Sequence, residues 1–265
     1  MLAQRAKNIK TLVNLKLVIA YDGTNYLGWQ KTATGPSIEE TMQNVIEKIL
    51  QHPVHLQAAS RTDSGVHAVG QVINFFTSKQ NIRLDKLLTS MNSLLPKDIV
   101  VLELNKAPLH FHPTLDCSGK EYHYFLCTGP IQLPYHRLYS WHIYEPIDKA
   151  LIQKALLYFV GEHDFSSFCN AKKNEYYQNH IRKIETLECI ELEQNRFCIR
   201  VKGNHFLYKM VRNIVGTLVD IGKGKILSKD LPAIFQAHSR PTAGVTAPAH
   251  GLFLHTVFYP AHRQI

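Results

Sequence analysis

The chain has 265 residues, of which 45% are hydrophobic and 19% are charged, a composition typical of a folded globular protein and not of a disordered one. The length suffices for one large or two modest domains, each with its own hydrophobic core. The net charge of +9 and the isoelectric point of about 9.2 suit a polyanionic partner, because lysine and arginine neutralise phosphates and release counterions.

Several classes of protein are made improbable by residue counts and spacing. The five cysteines contain no C-x-x-C pair, which argues against a disulfide framework or a zinc knuckle and predicts a cytoplasmic location. The histidines show no H-E-x-x-H spacing, so we expect no metal site. No apolar run is long enough to cross a membrane, and residues 1–14 are interpreted as a basic N-terminal arm and not as a signal peptide.

Residues 15–112 are predicted to form an N-terminal α/β domain. A strand opens it at 15–21, and Ser37 and Glu40 form a capping box that begins an amphipathic helix. Two strands are predicted to flank a loop at 59–68, followed by a helix at about 84–94 and a strand at 99–104. This order, β-α-β-β-α-β, is the ferredoxin-like arrangement of a helix layer on an antiparallel sheet.

Residues 113–265 are predicted to form a C-terminal α/β domain, because the proline-containing stretch 105–118 interrupts the pattern. The fold class is therefore predicted to be α+β. The expected elements of this half are strands at 120–126, 181–193, 196–203 and 252–259 and helices at about 148–160, 205–221 and 229–238.

The loop at 59–68 concentrates reactive residue types between two strands. It contains Arg61, Asp63, Gly65 and His67, and loops held by strands often carry functional side chains. The residues alone are also explained by a tight turn, since Asp-Ser-Gly favours turns through local hydrogen bonds and positive φ. On residue type alone, the turn is the commoner interpretation.

Six ordered segments of the chain resemble the TruA family of tRNA pseudouridine synthases. The string Arg61-Thr62-Asp63-Ser64-Gly65-Val66-His67-Ala68 is similar to the family's catalytic loop, GRTDAGVHA, with Ser60 and Ser64 in place of a glycine and an alanine. The other matching segments are 21–30, 120–124, 161–168, 210–216 and 251–254. The resemblance implies two ferredoxin-like or RRM-like domains whose mainly antiparallel sheets form a central cleft, the pseudouridine synthase fold.

The resemblance also implies a reaction, the isomerisation of uridine to pseudouridine at positions 38, 39 and 40 of the tRNA anticodon stem-loop. The N1–C1′ bond breaks, the uracil rotates, and C5 bonds to C1′. Asp63 matches the family's essential aspartate, and an ionised carboxylate is a suitable covalent nucleophile. The residues leave open whether Asp63 attacks C1′ or C6, or whether abstraction at C2′ starts the reaction.

Two arginines match family positions near that aspartate. Arg212 lies in an otherwise apolar helix, where an arginine needs an anionic partner, and the motif favours an ion pair with Asp63. The target base must be flipped out of its stack, and Arg61 is placed to hold the phosphate of the flipped nucleotide or to fill its vacancy.

Two apolar or aromatic positions are implied to bind the base. Tyr122 matches the family's active-site tyrosine, whose ring could stack on the uracil and whose hydroxyl could transfer a proton. Leu252 matches a pocket-wall residue. Without the motif, both are equally or better explained by packing, and Tyr124, two residues along the same strand, is the alternative tyrosine.

No cofactor is implied, because the isomerisation requires neither redox chemistry nor ATP and the chain has no Walker A string. The family acts on tRNA as a homodimer, so a homodimer is expected. Two departures from the family pattern, Thr114 and Cys169 where arginines are common, predict a weaker grip on the substrate. Two rival hypotheses remain: a non-catalytic RNA-binding module, and a hydrolase that uses Asp63 with His67.

Overall fold

The computed structural model describes residues 12–171 and 177–260. The first half of the described chain contains β1 Val13–Tyr21, α1 Ile38–Leu50, β2 Gln57–Ala58, β3 His67–Thr77, α2 Leu84–Leu94 and β4 Ile99–Ala107. The second half contains β5 Gly119–Thr128, β6 Trp141–Ile143, α3 Lys149–Leu156, β7 Gly161–Asp164, β8 Ile181–Leu192, β9 Arg196–Gly203, α4 Met210–Gly222, α5 Leu231–Gln236 and β10 Leu252–Phe258.

One continuous sheet connects the two halves. Its strand order is β4-β1-β3-β10-β5-β9-β8-β7, with β2 added to β3 and β6 added to β5. The last strand, β10, lies between the halves, parallel to β3 and antiparallel to β5. The predicted α+β class with a mainly antiparallel sheet is confirmed. The division at 112/113 stays a prediction, and residues 1–11 of the predicted arm lie outside the described residues.

The N-terminal half has the predicted β-α-β-β-α-β order, and α1 begins where the capping signal stands. The Ser37 hydroxyl accepts a hydrogen bond from the Glu40 N–H at 3.3 Å, which satisfies one of the free donors of the first turn. The Glu40 side chain pairs with Lys31 instead of reaching back to the cap. The N–H groups of Ile38 and Glu39 bond the carbonyls of residues 28 and 29, so the helix start tethers the preceding loop.

Helix α4 is shorter at its start than the sequence predicts. It begins at Met210 and not near residue 205, because Lys209 adopts a left-handed conformation with φ of 60° that breaks the helical path. The stretch 206–209 lines the central cleft instead. The short strands β6 and β7 were not predicted, because three or four residues are too few to display a period.

A close contact on α4 sets the position of the cleft wall. A Cβ on Gly216 would lie 1.7 Å from the Val245 carbonyl oxygen, so the absence of a side chain lets the segment 243–247 lie directly on the helix. The same segment continues through the 3-10 turn Ala249–Gly251 into β10. The approach therefore couples α4 to the strand that joins the two halves.

Candidate active site

The segment 21–30 packs against the loop at 59–68 and is hydrogen-bonded to it. The Tyr21 hydroxyl and the Thr62 hydroxyl share a hydrogen bond at 2.8 Å, and the Trp29 N–H donates to the Thr62 carbonyl at 3.0 Å. Gly28 has φ of 95°, and a Cβ there would lie 2.5 Å from the Thr62 oxygen. The segment 21–30, which resembles the family in sequence, therefore holds the backbone of the loop in place.

Two further features fix the loop backbone around Asp63. The amide of Gln71 brackets Ser60, accepting from its N–H at 3.2 Å and donating to its carbonyl at 2.6 Å. The Asp63 carbonyl accepts from the Val66 N–H at 3.1 Å, and Gly65 adopts φ of 76°. The turn chemistry expected of Asp-Ser-Gly is present, and it holds the Asp63 side chain at the cleft surface, 22% exposed.

Arg212 reaches Asp63 from the opposite wall. Its Nη1 lies 2.8 Å from the Asp63 Oδ2, and the Arg212 side chain is 13% exposed. Its Nε donates to the Ala247 carbonyl at 2.7 Å, while the Ala247 N–H donates to the Arg212 carbonyl at 3.1 Å. The fork of the guanidinium is therefore held by one backbone oxygen and presented to one carboxylate, an arrangement that lysine cannot reproduce.

A cleft of about 660 Å³ opens around this ion pair. All five residues named from the sequence line it, namely Arg61, Asp63, Tyr122, Arg212 and Leu252. They come from the loop, from β5, from α4 and from the first position of β10. Residues separated by up to about 190 positions along the chain thus meet around one cavity, the usual form of a small-molecule or catalytic site.

The chain is similar to known proteins over most of its length. The profile of the tRNA pseudouridine synthase family matches residues 17–116 and 155–260. The chain belongs to this family. It is 56% identical to tRNA pseudouridine synthase A 2 of Protochlamydia amoebophila, over 94% of this chain and 95% of that protein. It is 40% identical to tRNA pseudouridine synthase A of Acetivibrio thermocellus, over 93% of this chain and 99% of that one.

Family membership makes the protein an isomerase that modifies tRNA, and the predicted recognition is confirmed. A second protein of Protochlamydia amoebophila, tRNA pseudouridine synthase A 1, is 42% identical over 92% of this chain and 95% of its own length. In the described part of the chain, no helix has the length and apolar character needed to cross a bilayer.

The structure separates the two candidate tyrosines. Tyr122 lines the cleft and is 7% exposed, with its ring edge-on to Phe206 at a centroid distance of 5.0 Å. Tyr124 is fully buried, and its hydroxyl donates to the Pro248 carbonyl at 2.8 Å beneath Gly251. Tyr122 is therefore the tyrosine that can meet a base, and Tyr124 supports the turn that leads into Leu252.

Ser60, the departure at the start of the loop, contacts Tyr122 directly. The two hydroxyls share a hydrogen bond at 2.8 Å in a buried position. Burial raises the pKa of the Tyr122 phenol to about 12, while the bond to Ser60 lowers it. The phenol is therefore neutral near pH 7, where it can donate or accept this hydrogen bond. The sequence did not indicate this contact, because Ser60 and Tyr122 lie 62 positions apart.

We expect Ser60→Ala to lower the free energy of unfolding by about 1–2 kcal/mol, because it leaves the buried Tyr122 hydroxyl without this partner. Tyr122→Phe is the matched control, since it removes the other half of the same bond. Urea unfolding of both single variants and the double variant measures the coupling. Strictly additive losses would show that the bond contributes no coupling energy.

His67, the partner required by the hydrolase hypothesis, lies outside this cleft. Its Nδ1 accepts from the Gly23 N–H at 3.1 Å, and its Nε2 faces the carbonyls of Leu138 and His250 at 3.1 and 3.2 Å. The ring is 1% exposed, and burial lowers the pKa of its imidazole. These contacts give His67 a structural place that joins the two halves, away from Asp63.

The two departures that predicted a weaker grip have different surroundings. Thr114 lines the cleft, and its hydroxyl donates to the Ala58 carbonyl at 2.7 Å. Cys169 is buried, and so is the neighbouring Phe168. Only the first departure therefore lies where it can change a contact with a substrate in the cleft.

One group of residues has the composition of a metal site, on the reverse face of β5. Ligand atoms of Glu121, His123 and His255 lie within 4.8 Å of one another. Glu121 accepts from His123 at 2.7 Å, and the two imidazoles stack with centroids 3.9 Å apart. Because the two rings are stacked, their in-plane nitrogen lone pairs lie in nearly parallel planes and do not converge on one metal position. The expectation that the chain needs no metal stays a prediction.

Sequence analysis also missed a lysine in the cleft. Lys120 lines the cavity and is 8% exposed. It lies two positions before Tyr122 on β5, and alternate residues of a strand share a face. That alternation is the signal that could have found it, since placing Tyr122 in the cleft places Lys120 on the same side.

Proposed function

We propose that this protein converts uridine to pseudouridine at positions 38, 39 and 40 of the tRNA anticodon stem-loop, with Asp63 as the nucleophile. The observation that carries the proposal is the ion pair between Asp63 and Arg212 at 2.8 Å on the wall of a cleft. The guanidinium orients the carboxylate and offsets the cost of removing it from water when a substrate enters, which suits a carboxylate nucleophile. A surface that merely binds RNA has no use for a partly buried carboxylate.

The walls of the cleft suit a flipped base. Tyr122 and Leu252 offer an aromatic ring and an aliphatic side chain on neighbouring strands, β5 and β10. A uracil extruded from a stem must exchange its stacking partners for such surfaces, and unstacking costs a few kcal/mol. In this proposal Tyr122 stacks on the uracil and its hydroxyl takes part in proton transfer, while Arg61 holds the phosphate of the flipped nucleotide or fills its vacancy.

The charge of the cleft suits an RNA strand. Of the described residues that line it, four are basic and one is acidic: Arg61, Lys120, Lys209, Arg212 and Asp63. The described lining therefore carries a net positive charge, which attracts phosphates and raises the rate of encounter with a polyanion. We include in the proposal a homodimer as the acting unit and the cytoplasm as its location, both carried over from the family resemblance.

Tritium release from [5-³H]uridine-labelled tRNA tests the reaction, because C5 loses its hydrogen when it bonds to C1′. We expect release from transcripts with a single uridine at 38, 39 or 40, and none from a matched transcript that lacks all three. Release from the matched transcript would contradict the assignment of positions. No release by folded protein that binds tRNA would favour the RNA-binding module, and free uracil would favour the hydrolase.

A further inference from the structure

The side chain of Lys120 is buried in the cleft wall and meets no counter-charge among residues 12–171 and 177–260. It is 8% exposed, and within the described part of the chain its ammonium has no hydrogen-bond or ion-pair partner. The described titratable groups that interact electrostatically with it are the Cys117 thiol and the His205 imidazole, and neither is a carboxylate. Burial lowers the pKa of the Lys120 ammonium, which expresses the cost of holding a charge there.

Burying a lysine without a counter-charge lowers the stability of the folded protein, so the position calls for a functional explanation. Desolvation of an ammonium costs several kcal/mol, and buried lysines are rare unless they are paired. Arg212, another cation of the cleft wall, has its carboxylate partner Asp63 at 2.8 Å. Among the described residues, Lys120 is thus a buried cation of the cleft wall that no carboxylate neutralises.

The backbone around Lys120 is held rigidly. It lies in β5, opposite Gly203 of β9 and Val257 of β10, so strands pair with it on both sides. It shares a face with Tyr122, and two positions along a strand correspond to about 7 Å. An anion bound by Lys120 would thus lie about one nucleotide away from a base that contacts Tyr122.

We propose that Lys120 binds a backbone phosphate of the RNA segment that enters the cleft, next to the nucleotide whose base contacts Tyr122. A phosphate oxygen supplies the missing negative charge and accepts a charge-assisted hydrogen bond from the ammonium. The inference rests on the proposed function, because it takes the polyanion in the cleft to be the substrate tRNA. Thr114, which stands where the family commonly has an arginine, lines the same cleft and carries no charge, so Lys120 is one of the cations left to meet a phosphate there.

The test measures tRNA binding to Lys120→Met as a function of salt, using an unmodified tRNA transcript. Loss of one phosphate contact makes the slope of log K against log salt shallower by about 0.7–0.9. We expect affinity to fall about tenfold or more near physiological salt, the usual effect of a lost hydrogen bond to a charged group. We expect the thermal midpoint of Lys120→Met to equal or exceed that of the native protein, because an unpaired buried charge is removed.

Two variants accompany it as controls. Lys120→Arg keeps the charge, and we expect it to retain the native salt slope. Lys86→Met removes an exposed lysine of α2 that does not line the cleft, and we expect native slope and affinity. Together they separate the specific contact from a general change in net charge.

Three results would overturn the phosphate site. The first is a native salt slope in Lys120→Met. The second is a lowered thermal midpoint of that variant, which would make the lysine structural. The third is a slower single-turnover rate with unchanged affinity, which would mean that the ammonium contacts the base and not a phosphate. Tritium release by the native protein distinguishes failure of the phosphate site from failure of the proposed function. If the native protein is active and the slope is unchanged, the phosphate site alone falls. If it neither binds nor modifies tRNA, the proposed function falls as well.

Discussion

Asp63→Asn abolishes tritium release, with an expected loss of single-turnover rate of about 10⁴-fold or more, as for removal of other essential nucleophiles. Asparagine has nearly the same shape and still accepts a hydrogen bond from Arg212, but its amide oxygen is not a competent nucleophile at a sugar or uracil carbon. We expect the loop at 59–68 to keep its conformation, because the hydrogen bonds that hold Ser60, Thr62 and Gly65 in place do not involve the Asp63 side chain.

The matched control for this variant is Asp85→Asn. Asp85 also pairs with an arginine, Arg83, at 2.6 Å, but the pair is exposed on the first turn of α2. We expect Asp85→Asn to keep native activity and stability, because exposed ion pairs contribute little. Retention of more than about 1% of the native rate by Asp63→Asn, in tRNA-saturating conditions, would contradict a covalent role for Asp63.

Arg212→Met is expected to lower the single-turnover rate by about 10²–10³-fold and to destabilise the protein. The substitution leaves the partly buried Asp63 carboxylate and the Ala247 carbonyl without their partner, and loss of a positioned charge at a reacting centre has costs of this size. Arg212→Lys should be intermediate in rate, because it keeps a charge but cannot serve both oxygens at once.

The double variant Asp63→Asn with Arg212→Met separates the two effects. We expect its thermal midpoint to exceed that of Arg212→Met, because the unpaired carboxylate is gone, while its activity stays absent. Arg200→Met is the matched control, since Arg200 contacts Glu188 at 3.5 Å on the more exposed reverse face. A double variant no more stable than Arg212→Met would contradict a structural cost from the isolated carboxylate.

The rival hypotheses are distinguished by these variants. A module that only binds RNA would show no tritium release in any variant, including the native chain. A hydrolase that used Asp63 with His67 would require the two side chains to share a site. The structure instead places His67 beside Asp22, in a second pocket with Tyr139 and Phe253.

Local signals in the sequence determined most of the elements. The capping residue Ser37 and the apolar period after it predicted α1, and the strands predicted at 181–193 and 196–203 correspond to β8 and β9. A tight turn joins these two strands, and Gln194 and Asn195 in it both have positive φ. The residue types of the loop and their resemblance to a family indicated the reaction before any geometry was known. These features were readable because each depends on residues close together along the chain.

The tertiary structure alone decided which side chains share the cleft. Tyr122 and Tyr124 have the same alternation, and only the packing of Tyr124 under Gly251 separates them. The bond between Ser60 and Tyr122 and the position of Lys120 in the cleft depend on β10 joining two halves that are distant along the chain. Local propensity carries no information about such contacts, because they are fixed by the pairing and packing of distant segments.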